Sequence, residues 1–232
     1  MIPRYLALIR HADYHQRPDT PSALQPFPLT ETGHAQACAC GENIAQLLNE
    51  NDWRLDPVTH CSLQLRAWQT AMDAVEVLAS KGHVTRIEQT PDLSERALGS
   101  AANLTLHEIE LALRDDPRCD TPPPGWKADR DYRLPLQGAE SMRDAGARVA
   151  GWLRRLVAQG SATRMPTLTL VFGHGAAFRH AAHDLGILRL DEISKFSMYH
   201  ARPLLLCYKG DDTWVHFGGA WKQRTPREAA LD

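Results

Sequence analysis

Hydrophobic positions recur along the chain in two rhythms. Tyr5 to Ile9, Val58 to Cys61 and Leu168 to Phe172 are short runs of the kind that form strands buried on both faces, and Val84 to Glu88 alternates like a strand. Between them the period lengthens. Thr30 can cap a helix through about Asn49, with Ile44, Leu47 and Leu48 on one side. Trp68, Ala71, Met72, Val75, Leu78 and Ala79 fall at helical spacing, and Gly82 ends that run. Thr105 and Glu108 fit a capping box for a helix through Leu113. Ser141 to Val157 is helical again, and Gly173-His174-Gly175 opens a further helix ending near Gly186. Leu204 to Tyr208 and Trp214 to Phe217, joined through Gly210-Asp211-Asp212, read as a terminal hairpin.

Strands alternating with helices predict an α/β three-layer sandwich, with a mainly parallel central sheet flanked by helices. The Pro-rich stretch at about 115–138, with Pro117, Pro122, Pro123, Pro124 and Pro135, reads as an insert looping over the surface of a single domain spanning 1–232. Composition supports a folded chain: 232 residues, 43% hydrophobic and 23% charged. A net charge of −2 gives no general attraction to nucleic acid or to an anionic membrane, so neither partner is expected. Five scattered cysteines, and no apolar run near membrane-spanning length, predict reduced thiols in a cytoplasmic protein.

In parallel sheets ligands bind beyond the carboxyl ends of strands. That edge collects Arg10-His11, Ser62 to Arg66, Asp92 to Glu95 and Gly173-His174-Gly175. Singly, each has a plain structural explanation: Arg10 or Arg66 pairing a carboxylate, His11 ending a strand, Glu95 solvated beside Arg96. Together they suit a phosphate monoester. Guanidinium forks match its oxygens, a helix opening at Gly175 adds N–H donors, an imidazole can attack phosphorus, and a carboxyl group can protonate the departing alkoxide. Neither a metal nor another cofactor is called for. Cys38-Ala39-Cys40 and His180-Ala181-Ala182-His183 lack a second pair at metal spacing and read as helix residues. His200 and His216 have no assignment, and helix capping explains Glu140-Ser141 nearly as well as a reach into the pocket does.

Leu8-Ile9-Arg10-His11, Leu29-Thr30-Glu31-Thr32-Gly33, the run Cys61 to Ala71, Leu93-Ser94-Glu95, Gly138-Ala139-Glu140-Ser141 and Gly173-His174-Gly175 together resemble the histidine phosphatase superfamily, the phosphoglycerate mutase-like proteins, in family order. The resemblance implies His11 as the transiently phosphorylated nucleophile and Glu95 as proton donor. It implies Arg10, Arg66 and His174 as ligands of the phosphoryl group, with Ser62 and Gly175 shaping the pocket. Ala12 stands where the family usually has glycine, and Ser100 to Leu104 replaces the asparagine-lysine pair of the mutases. Arg10 to His15 and the Pro-rich insert also resemble the superfamily's mitochondrial serine/threonine protein phosphatases. The departures count against a mutase, although Cys119 to Pro124 is similar to a mutase insert; Ala12 and Tyr14-His15 suit a non-catalytic phosphate sensor, but the retained His11, His174 and Glu95 favour a metal-independent phosphomonoesterase, and a homodimer is left open. Because Arg114, Arg118, Lys127, Arg130 and Arg133 are balanced by Asp115, Asp116, Asp120, Asp129 and Asp131, the expected substrate is a small monoester or a phosphorylated protein side chain rather than a polyanion.

Overall fold

The computed structural model describes residues 3–159 and 165–225. Strand β1 (Arg4–Arg10) runs through the middle of the sheet, with β5 (Thr167–Gly173) parallel on one side and β7 (Leu204–Tyr208) antiparallel on the other. Beyond β5 lie β3 (Val58–Ser62) and β4 (Arg86–Thr90), both parallel, and beyond β7 the antiparallel β8 (Trp214–Gly218), giving the order β4-β3-β5-β1-β7-β8. A two-residue strand, β2 (Arg54–Leu55), also pairs with β5.

Alternation along β1 explains the layers. Ala7 and Ile9 point into a core shared with α1 (Glu31–Asn51) and α2 (Leu65–Ser80), while Leu6 and Leu8 point into one shared with α4 (Met142–Gln159) and α5 (Gly175–Asp184). A strand covered on both faces must be apolar throughout, which is why Tyr5 to Ile9 reads as a continuous run. Thr30 caps α1, its Oγ1 accepting from the Gly33 N–H at 3.0 Å. Thr105 and Glu108 form the expected capping box of α3 (Leu106–Asp115). Four short elements were not anticipated: β2, α6 (Leu190–Ile193), and the β6 (Phe196–Ser197)–β9 (Lys222–Gln223) pair. Each is too brief to leave a period in the sequence.

Three expectations shift. The β4 strand begins at Arg86, two residues later than the alternation suggested, and Val84 is left exposed. The buried face of α2 overlaps the expected stripe only in part: Ala71 and Leu78 are buried and Trp68 packs against the core, but Arg66, Ala67, Thr70 and Ala74 complete it, while Met72 and Ala79 are exposed. Burying the Arg66 side chain at the functional edge turns the helix, and small residues then fit against α1 and the sheet. The 115–138 insert carries no regular element, yet it is not a mere surface excursion. Trp126 and Leu134 are buried with Ala23, Leu98, Ile109 and Leu113 in a third core that walls the functional edge. The insert's charges pair locally, Arg118 with Asp116 and Arg133 with Asp144, each at 2.7 Å.

Candidate active site

The register of the sheet assembles the site. Arg10 lies opposite Gly173, so the residues following β1 and β5, His11 and His174, emerge side by side with ring centroids 5.2 Å apart. Ser62 ends the next strand. The His11 backbone N–H donates to Gly173 O at 2.9 Å, stitching the two strand ends, and Ala12 N–H donates to Thr70 Oγ1 on α2 at 2.9 Å. Ala12 itself is fully buried, and its methyl group is accommodated where the family usually has glycine.

A cavity of about 300 Å³ opens over this edge, and Arg10, His11, Glu95 and Gly175 line it. Gly175 is needed for a close approach: a Cβ there would sit 3.1 Å from Arg10 Cδ and 3.3 Å from its Nε. Arg10 is held from the other side by Nη1 donating to Met198 O at 3.1 Å. Glu95 follows β4 on a 3₁₀ turn (Pro91–Leu93) whose Leu93 is buried. Its carboxylate reaches the first turn of α5, accepting from Ala177 N–H at 3.0 Å and Ala176 N–H at 3.3 Å, where helix N–H groups favour negative charge. Arg148 on α4 fastens the Glu95 loop. It donates to Asp92 O at 2.8 Å and Ser94 O at 3.1 Å while pairing with Glu140 at 2.8 Å.

Arg66, His174 and Ser62 are buried and do not line the cavity. Arg66 donates to Gln25 O at 3.0 Å, Ser22 O at 2.7 Å and Ala23 O at 3.0 Å, so it anchors the Pro-rich loop that forms part of the cavity wall. Its Nη2 also meets His174 Nδ1 at 3.2 Å. A guanidinium only donates, so that contact makes Nδ1 the acceptor and puts the proton of His174 on Nε2. Nε2 lies 2.7 Å from Ser62 Oγ and 3.0 Å from Gln64 Oε1, and Ser62 donates to Gln64 Oε1 at 2.8 Å. The expected phosphate ligands Arg66 and His174 thus spend their hydrogen bonds on the protein, apart from Arg66 Nε, which is buried without a partner.

The same logic fixes His11. Its Nδ1 lies 2.8 Å from Ala12 O, and a carbonyl only accepts, so Nδ1 carries the proton and Nε2 keeps a lone pair. Burial first, then Arg66, His174, Arg10 and His200, hold His11 well below the usual imidazole range. Burial, then Arg66, Arg10 and Arg148, do the same for His174. Both rings are neutral at pH 7.

The family model of the histidine phosphatase superfamily (branch 1) matches residues 6–218. The chain belongs to that superfamily. Among related members, the 2,3-bisphosphoglycerate-dependent phosphoglycerate mutase of Brucella ovis is 29% identical over 191 residues, 80% of this chain and 82% of that one. The corresponding Bartonella henselae mutase is 26% identical over 185 residues, with the same shares. A mycobacterial glucosyl-3-phosphoglycerate phosphatase superposes with a TM-score of 0.66 at 21% identity, covering 91% of this chain and 96% of that one. The α-ribazole phosphatase of Shigella flexneri gives 0.65 at 18% identity, covering 92% and 94%. These two likenesses establish the shared fold.

Within this histidine phosphatase fold, sequence reasoning missed His200. It stands just before β7, its ring centroid is 5.6 Å from that of His11, and its backbone bridges Arg10. Burial, then Arg10 and Lys222, push it down to about 3. The antiparallel β7 starts beside the carboxyl end of β1, a placement that hydrophobic pattern alone does not reveal. Gln64, which holds Ser62 and His174 in register, was legible only as part of the Cys61 to Ala71 motif.

Among the described residues no helix is long and apolar enough to cross a membrane.

Proposed function

We propose that the protein is a metal-independent phosphomonoesterase working through a phosphohistidine at His11. The observation that carries the reading is the His11 tautomer: Nδ1–H is committed to Ala12 O, and the remaining nitrogen belongs to a ring that lines the cavity with Arg10 and Glu95. In the first step the Nε2 lone pair forms the N–P bond as the P–O bond to the leaving group breaks, and Glu95 delivers a proton to the departing oxygen. Arg10 and the positive end of the α5 dipole, whose Ala176 and Ala177 N–H groups hold Glu95, bear the charge on the phosphoryl oxygens. Arg66, buried and outside the cavity lining, acts on His11 through its positive charge. In the second step Glu95 takes a proton from water, the water oxygen bonds to phosphorus, and the N–P bond breaks to restore neutral His11 and release inorganic phosphate.

His11→Ala should abolish phosphate release from an aryl phosphate while the variant keeps a cooperative unfolding transition. Undiminished turnover by that variant would end the proposal. The mutase relatives support a second reading, in which the phosphoryl group returns to another hydroxyl of one sugar acid. Free phosphate as the product, measured beside positional exchange, separates the two.

A further inference from the structure

Asp13-Tyr14-His15 follows the Arg10-His11 pair directly, and the mechanism above uses none of it. Tyr14 is buried in the core that also holds Ile9, Ala12 and Leu29. Its position is fixed from several sides. The backbone bridges Leu29, its carbonyl accepts from the Gln16 N–H at 2.7 Å, and the guanidinium carbon of Arg66 lies 4.7 Å from the centre of its ring, a cation–π contact. The ring held in this way stands 5.2 Å from the His11 ring with the planes at 89°, an edge-to-face pair. The phenol hydroxyl is buried too, and although Ser22 stands beside it, it has no hydrogen-bond partner.

His11 needs a wall of this kind. A histidine ring turns about χ2 in a broad, roughly two-fold well. A half-turn exchanges each ring nitrogen with a carbon, which takes Nδ1 off Ala12 O and moves Nε2 from the place where it meets phosphorus. The single hydrogen bond to Ala12 O, 2.8 Å long, favours one orientation by only about two- to tenfold. Packing must supply the rest. Three rings surround His11: Tyr14, His174 at 5.2 Å and His200 at 5.6 Å. His174 is committed to Ser62, Gln64 and Arg66, and the Nε2 of His200 is buried without a partner. Tyr14 is the ring of the three that is pinned by a cation yet makes no hydrogen bond through its side chain.

We infer that Tyr14 is a positioning residue for the nucleophile: its ring, pinned by Arg66, blocks the half-turn of the His11 imidazole and so keeps Nδ1 on Ala12 O and Nε2 free for phosphorus. This rests on the phosphomonoesterase reading and deepens it. The work belongs to the aromatic ring and not to the hydroxyl, which bonds to nothing.

Tyr14→Leu should lower kcat for p-nitrophenyl phosphate about ten- to a hundredfold with KM little changed, because a misaimed nucleophile loses rate rather than affinity. Tyr14→Phe, which keeps the ring, should restore the lost rate. An equal loss in both variants would assign the role to the hydroxyl and overturn the inference, as would native kcat in Tyr14→Leu or a loss that lies wholly in KM. Should Tyr14→Leu lack a cooperative unfolding transition, Tyr14→Met takes its place in every measurement. Long-range proton–nitrogen NMR spectra of the protein labelled with ¹⁵N-histidine read the His11 tautomer without substrate, with His11→Gln identifying the signal. The native protein and Tyr14→Phe should show Nδ1–H alone, and Tyr14→Leu should add Nε2–H. That pattern in a protein that hydrolyses no ester would uphold the positioning of His11 and reject the phosphatase reading. Nδ1–H alone in Tyr14→Leu would overturn the inference whatever the turnover.

Discussion

Acid should destabilise this protein in a window set by its buried imidazoles. His11, His174 and His200 are all held below the usual range by burial, reinforced by nearby guanidinium groups. In the unfolded chain each titrates near 6.5. Folded His200 stays neutral to about 3, and the other two are neutral well below 6.5. The unfolded state therefore binds protons that the native state refuses. Stability is fully present above about pH 6.5 and is lost as pH falls toward the folded values. At pH 5.5, one unit below the unfolded value, the His200 ring alone costs on the order of 1 kcal/mol, and His11 and His174 add to the loss in the same direction, against a typical total of about 5–15 kcal/mol. Urea unfolding at constant ionic strength, followed by far-ultraviolet circular dichroism at pH 7.5, 6.5 and 5.5, measures this directly. The midpoint should fall with an unchanged slope, and His200→Asn should make the drop smaller. A midpoint that does not move between pH 7.5 and 5.5 would show that these rings accept protons in the native state, and the neutral nucleophile would go with it.

Two further outcomes follow from the positions of Glu95 and Arg148. Glu95→Gln should slow alkyl phosphates by about 10²–10⁴ in kcat but p-nitrophenyl phosphate far less in the first step, because nitrophenolate departs without a proton; equal losses in single-turnover measurements would remove Glu95 as the donor. Arg148→Met takes away the ties from α4 to Asp92 O and Ser94 O and leaves Glu140 without its cation. It should cost about 2–3 kcal/mol of stability and lower kcat for alkyl more than for nitrophenyl esters, with a proportional loss on both counting against a positioning role.

Much of this was legible because two-sided burial writes itself into sequence. A strand such as Tyr5 to Ile9, apolar on both faces, has few other places to go, and a parallel sheet sends its strand-end residues to one edge. Arg10, His11, Glu95 and Gly175 accordingly meet around the cavity. What sequence could not supply was which polar groups use up one another's hydrogen bonds. Arg66 was expected to face the substrate, yet three loop carbonyls and His174 occupy its guanidinium edge. The α2 stripe misled for a related reason: a helix carrying a buried arginine orients by that group rather than by Met72 or Ala79. The insert was misjudged because Trp126 and Leu134 are isolated apolar residues in a polar, Pro-rich stretch, and only the folded chain shows that they converge on Leu98 and Ile109. His200 is remote in sequence from every motif and reaches the site through the reversed direction of β7.

The proposed chemistry turns on which atom carries the phosphoryl group. Rapid mixing with a fast-leaving aryl phosphate, an alkaline quench to preserve phosphohistidine, and peptide mass spectrometry with phosphorus NMR locate it. The structure predicts label on His11, bonded to Nε2, since Nδ1 is held by Ala12 O. Label at His174, at Nδ1 of His11, or on no residue while phosphate is released in a rapid first turnover would contradict it.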